Sequence, residues 1–132
     1  MSKLIIINND QNRRDVYREV YERCLSAYRN NGDVMLDFTA VNEISIEGAK
    51  EIFGKLLIKD KCKTITCKSL SNHLFMNIAR GIVEYFRECY PQGMSTRFGS
   101  KIMEPQVEMS GSSLTWCTIQ LGDEVTMLLS NK

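Results

Sequence analysis

The side chains best suited to chemistry are few and scattered. His73 is the only histidine. No second histidine or fixed carboxylate accompanies it, so neither metal ligation nor a nucleophile–base relay is expected there. The cysteines are Cys24, Cys62, Cys67, Cys89 and Cys117, an odd number with no C-x-x-C pair. Cys62 and Cys67 lack the second pair that a zinc site needs. All five read as reduced thiols serving as small hydrophobes. The glycines are dispersed, and none opens a G-x-x-x-x-G-K-[ST] phosphate loop. Arg13 and Arg14 precede a helix, where they could hold a phosphate or carboxylate or simply be solvated first-turn charges. The expectation is no catalytic residue, no metal and no cofactor, and a binding module rather than an enzyme.

Composition agrees with that reading. The chain has 132 residues, 43% of them hydrophobic and 25% charged, which suits one globular domain and argues against disorder. Lys and Arg number 17 against 16 Asp and Glu, a net charge of +1. Nucleic-acid binders are usually more basic, so no nucleic-acid partner is expected. The apolar run Leu4 to Ile7 is far too short for a signal core or a membrane span. The expected setting is the cytoplasm, with no membrane association.

Periodicity supplies the elements that must position any site. Lys3 to Asn8 is a short, β-branched apolar run, as in a strand covered on both faces. Asn8, Asn9 and Asp10 offer helix caps. Val16, Tyr17, Val20, Tyr21, Cys24, Leu25, Ala27 and Tyr28 recur at helical spacing, with charged residues between them. That assigns the tyrosines to core and helix edge rather than to a base-stacking platform. Asn31 and Gly32 end this helix. Val34 to Phe38 is a second strand, and Thr39 to Ile44 a loop. Ser45 caps a second helix whose buried stripe is Ala49, Ile52, Phe53 and Leu56. Gly48 and Gly54 weaken that helix by about 1 kcal/mol each relative to alanine, which implies a packing or approach role. Thr64 to Ser69 alternates as a third strand. Ser71 or Asn72 caps a third helix, striped by Phe75, Ile78, Ala79, Ile82 and Phe86 and stopped by Pro91.

The first ninety residues therefore read β-α-β-α-β-α, an α/β class with a mostly parallel sheet. Beyond Gln92 the pattern changes. Leu114 to Leu121 and Glu124 to Leu129 read as two strands around a Gly122–Asp123 turn, a C-terminal antiparallel hairpin. One domain over 1–132 is expected, with a core over 1–91 and a β extension over 92–132. Trp116 on that hairpin is either an interface anchor or buried against the sheet.

The stretch from Met35 to Gly54 resembles the central motif of the STAS superfamily, and more narrowly a small bacterial family of STAS-like proteins. It carries an L-D-F strand (Leu36, Asp37, Phe38), a V-x-x-I-S loop (Val41, Ile44, Ser45) and then a helix ending in I-F-G (Ile52, Phe53, Gly54). Arg13 and Arg14 before the first helix, and Ser69 to Asn72 before the third, also suit that family. The resemblance covers about residues 3 to 90 and implies a regulatory binding module. STAS domains of anti-sigma factor antagonists partner histidine-kinase-like ATPases that act as serine kinases. Their switch is a serine in a D-S-S-G-like turn opening the second helix, where a phosphate changes the docking charge. An ungapped alignment puts Gly48 on the family glycine, Glu47 on the phosphoacceptor and Ser45 on the aspartate. Glutamate cannot be phosphorylated. Glu47 either mimics a modified state or is a first-turn acid stabilised by the helix dipole. Ser45 is either a capping hydroxyl or a phosphosite.

The expected function is a non-enzymatic interaction module docking a protein partner, an ATPase of that type or a serine kinase. The expected surface is Asn42, Glu43, Ser45, Glu47, Lys50 and Glu51. Two other classes stay open. Open parallel sheets bind ligands beyond their strands' carboxyl ends, where Asn8, Asn9, Asp10, Thr39, Ser69 and Asn72 fall, as for a small-molecule or nucleotide-binding protein or enzyme. The hairpin edge could also pair with a second copy, giving a homodimer.

Overall fold

The β-branched runs form strands, and the apolar stripes form helices that cover one face of them. The computed structural model describes residues 4–8, 14–91, 94–95, 102–103, 105–111 and 115–130. The order is β1 (Leu4–Asn8), α1 (Arg14–Asn31), β2 (Met35–Ala40), α2 (Ile46–Ala49) running on as a π-helix (Lys50–Lys59), β3 (Ile65–Lys68) and α3 (Asn72–Cys89). There follow β4 (Met94–Ser95), β5 (Ile102–Met103), β6 (Val107–Ser110), β7 (Trp116–Leu121) and α4 (Asp123–Ser130). The class is mixed α/β.

The main sheet has the order β1-β2-β3-β7-β6, and β4 pairs with β5 separately. β1, β2 and β3 are mutually parallel, in the registers Ile5↔Leu36 and Leu36↔Cys67. β7 runs antiparallel to β3, and β6 antiparallel to β7. The sheet is thus more evenly mixed than the expected mostly parallel one. Periodicity marks a strand but not its direction, and the β6–β7 pairing imposes alternation on that side.

Burial alternates along the strands. Ile5, Ile7, Leu36, Phe38, Ile65, Cys67, Ile119 and Leu121 belong to the buried core together with the helix stripes. The opposite face carries Ile6, 66% exposed, and Trp116, 37% exposed. Trp116 is therefore not buried against the helices, because its strand position points it to the open face.

The helix ends follow their local signals. Gly32 adopts φ +79 and its N–H bonds the Tyr28 carbonyl at 2.8 Å, a left-handed stop. Ser71 accepts the Leu74 N–H at 3.2 Å, which leaves Asn72 inside the helix. Asn9, Asp10 and Arg13 lie outside the described residues, and Arg14 opens α1.

Two findings depart from the expectations. The second helix winds as a π-helix over Lys50–Lys59, with the Asp60 N–H on the Lys55 carbonyl at 2.9 Å. π turns are mostly single. Here the i→i+5 winding stacks Ile52 over Leu57 and Phe53 over Ile58, all four buried. The run Leu56, Leu57 and Ile58 supplies a wider apolar face than an α-helical stripe uses. The second departure is Glu124 to Leu129, which is helical and not a hairpin strand. Asp123 and Glu124 occupy its first turn, where acids favour the dipole. Val125 and Leu129 are buried at i and i+4, while Met127, which alternation would bury, is 68% exposed. β7 instead pairs antiparallel with β3 on one side and with the preceding strand β6 on the other.

Glycines set the closest approaches. A Cβ on Gly54 would lie 2.5 Å from the Tyr85 Cβ, and one on Gly81 would lie 2.6 Å from both the Ala49 Cβ and the Lys50 nitrogen. α3 therefore lies directly on the backbone of the second helix.

Candidate functional site

The candidate surface is the loop leaving β2 and the first turn of α2. Its apolar residues anchor it: Val41 and Ile44 are buried. The Val41 N–H bonds the Phe38 carbonyl at 3.0 Å, and Asn77 Nδ2 of α3 donates to the Ile44 carbonyl at 3.0 Å. Ser45 is extended at φ −73, ψ 154, and its Oγ accepts the Gly48 N–H at 3.0 Å, the N-cap geometry. The same hydroxyl shares a 2.6 Å hydrogen bond with Tyr17 Oη of α1. The Tyr17 ring packs on Gly48, where a Cβ would come within 2.6 Å of Cε1 and 2.9 Å of Cζ. That contact is the packing reason for Gly48, and Tyr85 is the one for Gly54.

Among the six predicted residues, Asn42, Glu43 and Glu47 are exposed, and Ser45 is half-buried. Lys50 and Glu51 face structural partners. Lys50 Nζ bonds Glu88 Oε1 of α3 at 2.8 Å, and Glu51 bonds Lys55 at 2.8 Å within the helix. The Glu88 hydrogen bond holds the Lys50 pKa above its ordinary value. The loop thus presents Asn42, Glu43 and Glu47 on a tied-down backbone, while Lys50 and Glu51 join the surface to α3 and to the helix itself.

Beside this loop are the carboxyl ends of β2 and β3. Asp37 Oδ1 accepts the Thr39 N–H at 2.8 Å and the Thr39 hydroxyl at 2.5 Å. Those bonds hold its carboxyl below the usual value. Thr39 Oγ1 lies 3.3 Å from Ser69 Oγ, so two of the residues read as strand-end candidates do meet. Ser69 takes φ 59, a left-handed conformation uncommon outside glycine. Asn72 and His73 are exposed in the first turn of α3. Among the described residues, no group of three or more His, Cys, Asp or Glu side chains is placed to hold a metal, and no helix is long and apolar enough to cross a membrane.

Sequence reasoning missed Asn77 and the Tyr17–Ser45 bond as supports of the loop. The only available signal was Tyr17 on the inward stripe of α1, because the contact spans 28 positions. It also missed that Cys67 and Cys117 face each other across β3 and β7.

Comparison of the chain with protein-family models, with curated proteins and with solved structures returned no match.

Proposed function

We propose that this protein is a non-catalytic regulatory module that docks a protein partner through the Val41–Ser45 loop and the start of α2. One observation carries the reading. The loop is held by Asn77, Tyr17 and its own buried Val41 and Ile44, yet its Asn42, Glu43 and Glu47 side chains are exposed. A preorganised polar loop loses little conformational entropy on binding. Two exposed carboxylates suit a partner with a basic patch. On the STAS-like reading of the β1-to-α3 run, the partner is a histidine-kinase-like ATPase or serine kinase and the setting is the cytoplasm. A phosphoryl group on Ser45 would remove the hydroxyl proton shared with Tyr17 and add negative charge at the start of α2, so such a modification would act through the charge of the docking surface.

The test is capture of a partner by tagged wild type and by the Glu43→Lys/Glu47→Lys variant, with melting temperatures measured on both baits. The expected result is a partner held by wild type and lost from an equally stable variant. Equal retention by both baits refutes this surface.

The Thr39–Ser69 meeting supports a second reading, a nucleotide or small anion at the strand ends. A rise in melting temperature with ATP that is lost in Thr39→Val would favour it over the docking module.

A further inference from the structure

Cys67 and Cys117 are direct partners in the antiparallel pairing of β3 with β7. The Ser69 N–H bonds the Thr115 carbonyl at 2.7 Å, and that pair lies two residues further along the same register. Cys67 and Cys117 therefore occupy the hydrogen-bonded type of site, where Cα atoms are about 5.5 Å apart. Disulfides bridge Cα separations of about 4.4–6.8 Å with Cβ atoms about 3.5–4.5 Å apart, so closing the bond must draw this pair's Cβ atoms together from about 5.5 Å. The Cys67 Sγ lies 3.9 Å from the Ile65 carbonyl oxygen, to which it donates, and the two facing thiols shift each other's titration, Cys67 upward and Cys117 downward.

Their surroundings differ in a useful way. Cys67 is fully buried, and Cys117 is half-buried. Gly111, just past the Ser110↔Thr118 pair of β6 and β7, packs on Cys117. A Cβ there would lie 3.1 Å from the Cys117 Cβ.

We propose that Cys67 and Cys117 are a redox modification site, converted by hydrogen peroxide into a reversible intramolecular disulfide that clamps β7 to β3. The Cys117 thiolate attacks one peroxide oxygen. The S–O bond forms as the O–O bond breaks, and the departing hydroxide takes a proton to become water. The Cys67 sulfur then gives up its proton and attacks the Cys117 sulfur. The S–S bond forms, the S–O bond breaks, and a second water leaves. The two sulfurs are oxidised, peroxide is reduced, and two thiols plus peroxide give one disulfide and two waters. Two equivalents of a small thiol such as glutathione return the pair to the dithiol by exchange.

The geometry supports the order of events. The interaction between the two thiols lowers the Cys117 pKa and raises that of Cys67, which burial raises further. The half-buried member is therefore the attacking nucleophile, and the fully buried member resolves. The other thiols have no such partner in register. Cys24 and Cys62 are buried, and burial pushes each up to about 12. Cys89 is exposed on α3.

The experiment treats the full chain with hydrogen peroxide, unfolds it in N-ethylmaleimide and maps tryptic peptides by mass spectrometry. Cleavage at Lys63, Lys68 and Lys101 isolates Cys67 in 64–68 and Cys117 in 102–132, apart from the other three cysteines. The expected result is a cross-link between these two peptides within one chain, with no covalent dimer on a denaturing gel. It should be reversed by glutathione, kept in a Cys24→Ala/Cys62→Ala/Cys89→Ala variant and lost in Cys117→Ser. Because a change at buried Cys67 could disturb folding, the Cys67→Ala result is read only alongside its melting curve, and Cys117→Ser carries the test. A bond from Cys117 to Cys24 or between chains, sulfinic acid on Cys117 with Cys67 still alkylated, or both thiols alkylated after peroxide would each overturn the proposal.

Discussion

Replacing Ser45 with alanine removes two hydrogen bonds at the point where the candidate surface begins. One is the 3.0 Å cap on the Gly48 N–H, and the other is the 2.6 Å bond with Tyr17 Oη. Loss of an N-cap costs about 0.5–2 kcal/mol. A hydrogen bond in a partly buried setting contributes about 0.5–1.5 kcal/mol net. Tyr17 is only 3% exposed, so water replaces the lost bond poorly. Together these give a destabilisation of about 1–3 kcal/mol for Ser45→Ala. In a chain of this length that is a fall in melting temperature of about 3–5 °C per kcal/mol. Tyr17→Phe removes only the shared bond and should cost about 1 kcal/mol. Urea unfolding of wild type, both single variants and the double variant closes a thermodynamic cycle. The expected coupling is about 1 kcal/mol, since the double variant loses the shared bond only once. A Ser45→Ala variant within about 0.5 kcal/mol of wild type, or additive single effects, would show that this hydroxyl does not hold the loop.

Other perturbations test other parts of the structure. Gly81→Ala should destabilise by about 1–3 kcal/mol, because its Cβ would meet the Lys50 nitrogen at 2.6 Å and the Ile46 carbonyl oxygen at 2.8 Å, and backbone cannot rotate away; a neutral urea midpoint would contradict the close packing of α3 on the second helix. On α4, Met127→Lys should change stability by less than about 0.5 kcal/mol and Val125→Asp by well over that, since Met127 is 68% and Val125 2% exposed; equal effects in thermal melts would favour an alternating strand. The Cys117 thiol should alkylate with iodoacetamide at a pH below that of an ordinary thiol, because the facing Cys67 thiol lowers its pKa. Its rate should rise with pH as the thiolate forms, and the midpoint should move upward in Cys67→Ala; an unchanged profile in that variant would remove Cys67 as the cause.

The local part of the structure was legible in the amino-acid order. The three strands and three helices of the first ninety residues follow from apolar spacing, which needs only nearby residues to be read. The stops and starts at Gly32, Ser45 and Ser71 likewise depend on a few adjacent backbone groups. For the same reason, the exposure of Asn42, Glu43 and Glu47 could be anticipated from a polar loop between a strand and a helix.

Tertiary packing decided the rest. Val125, Met127 and Leu129 alternate in type, and only burial of Val125 and Leu129 on the core distinguishes the helix from a strand. The π winding after Ala49 exists because a broad apolar face must be filled against α3 and the sheet. Gly48 and Gly54 are read locally as weaknesses, and they become contact points once Tyr17 and Tyr85 arrive from other helices. Cys67 and Cys117 read locally as ordinary small hydrophobes, and strand register alone makes them a pair. Periodicity and capping are properties of neighbours along the chain, whereas register, winding and close approach are settled by residues distant in sequence that share one core.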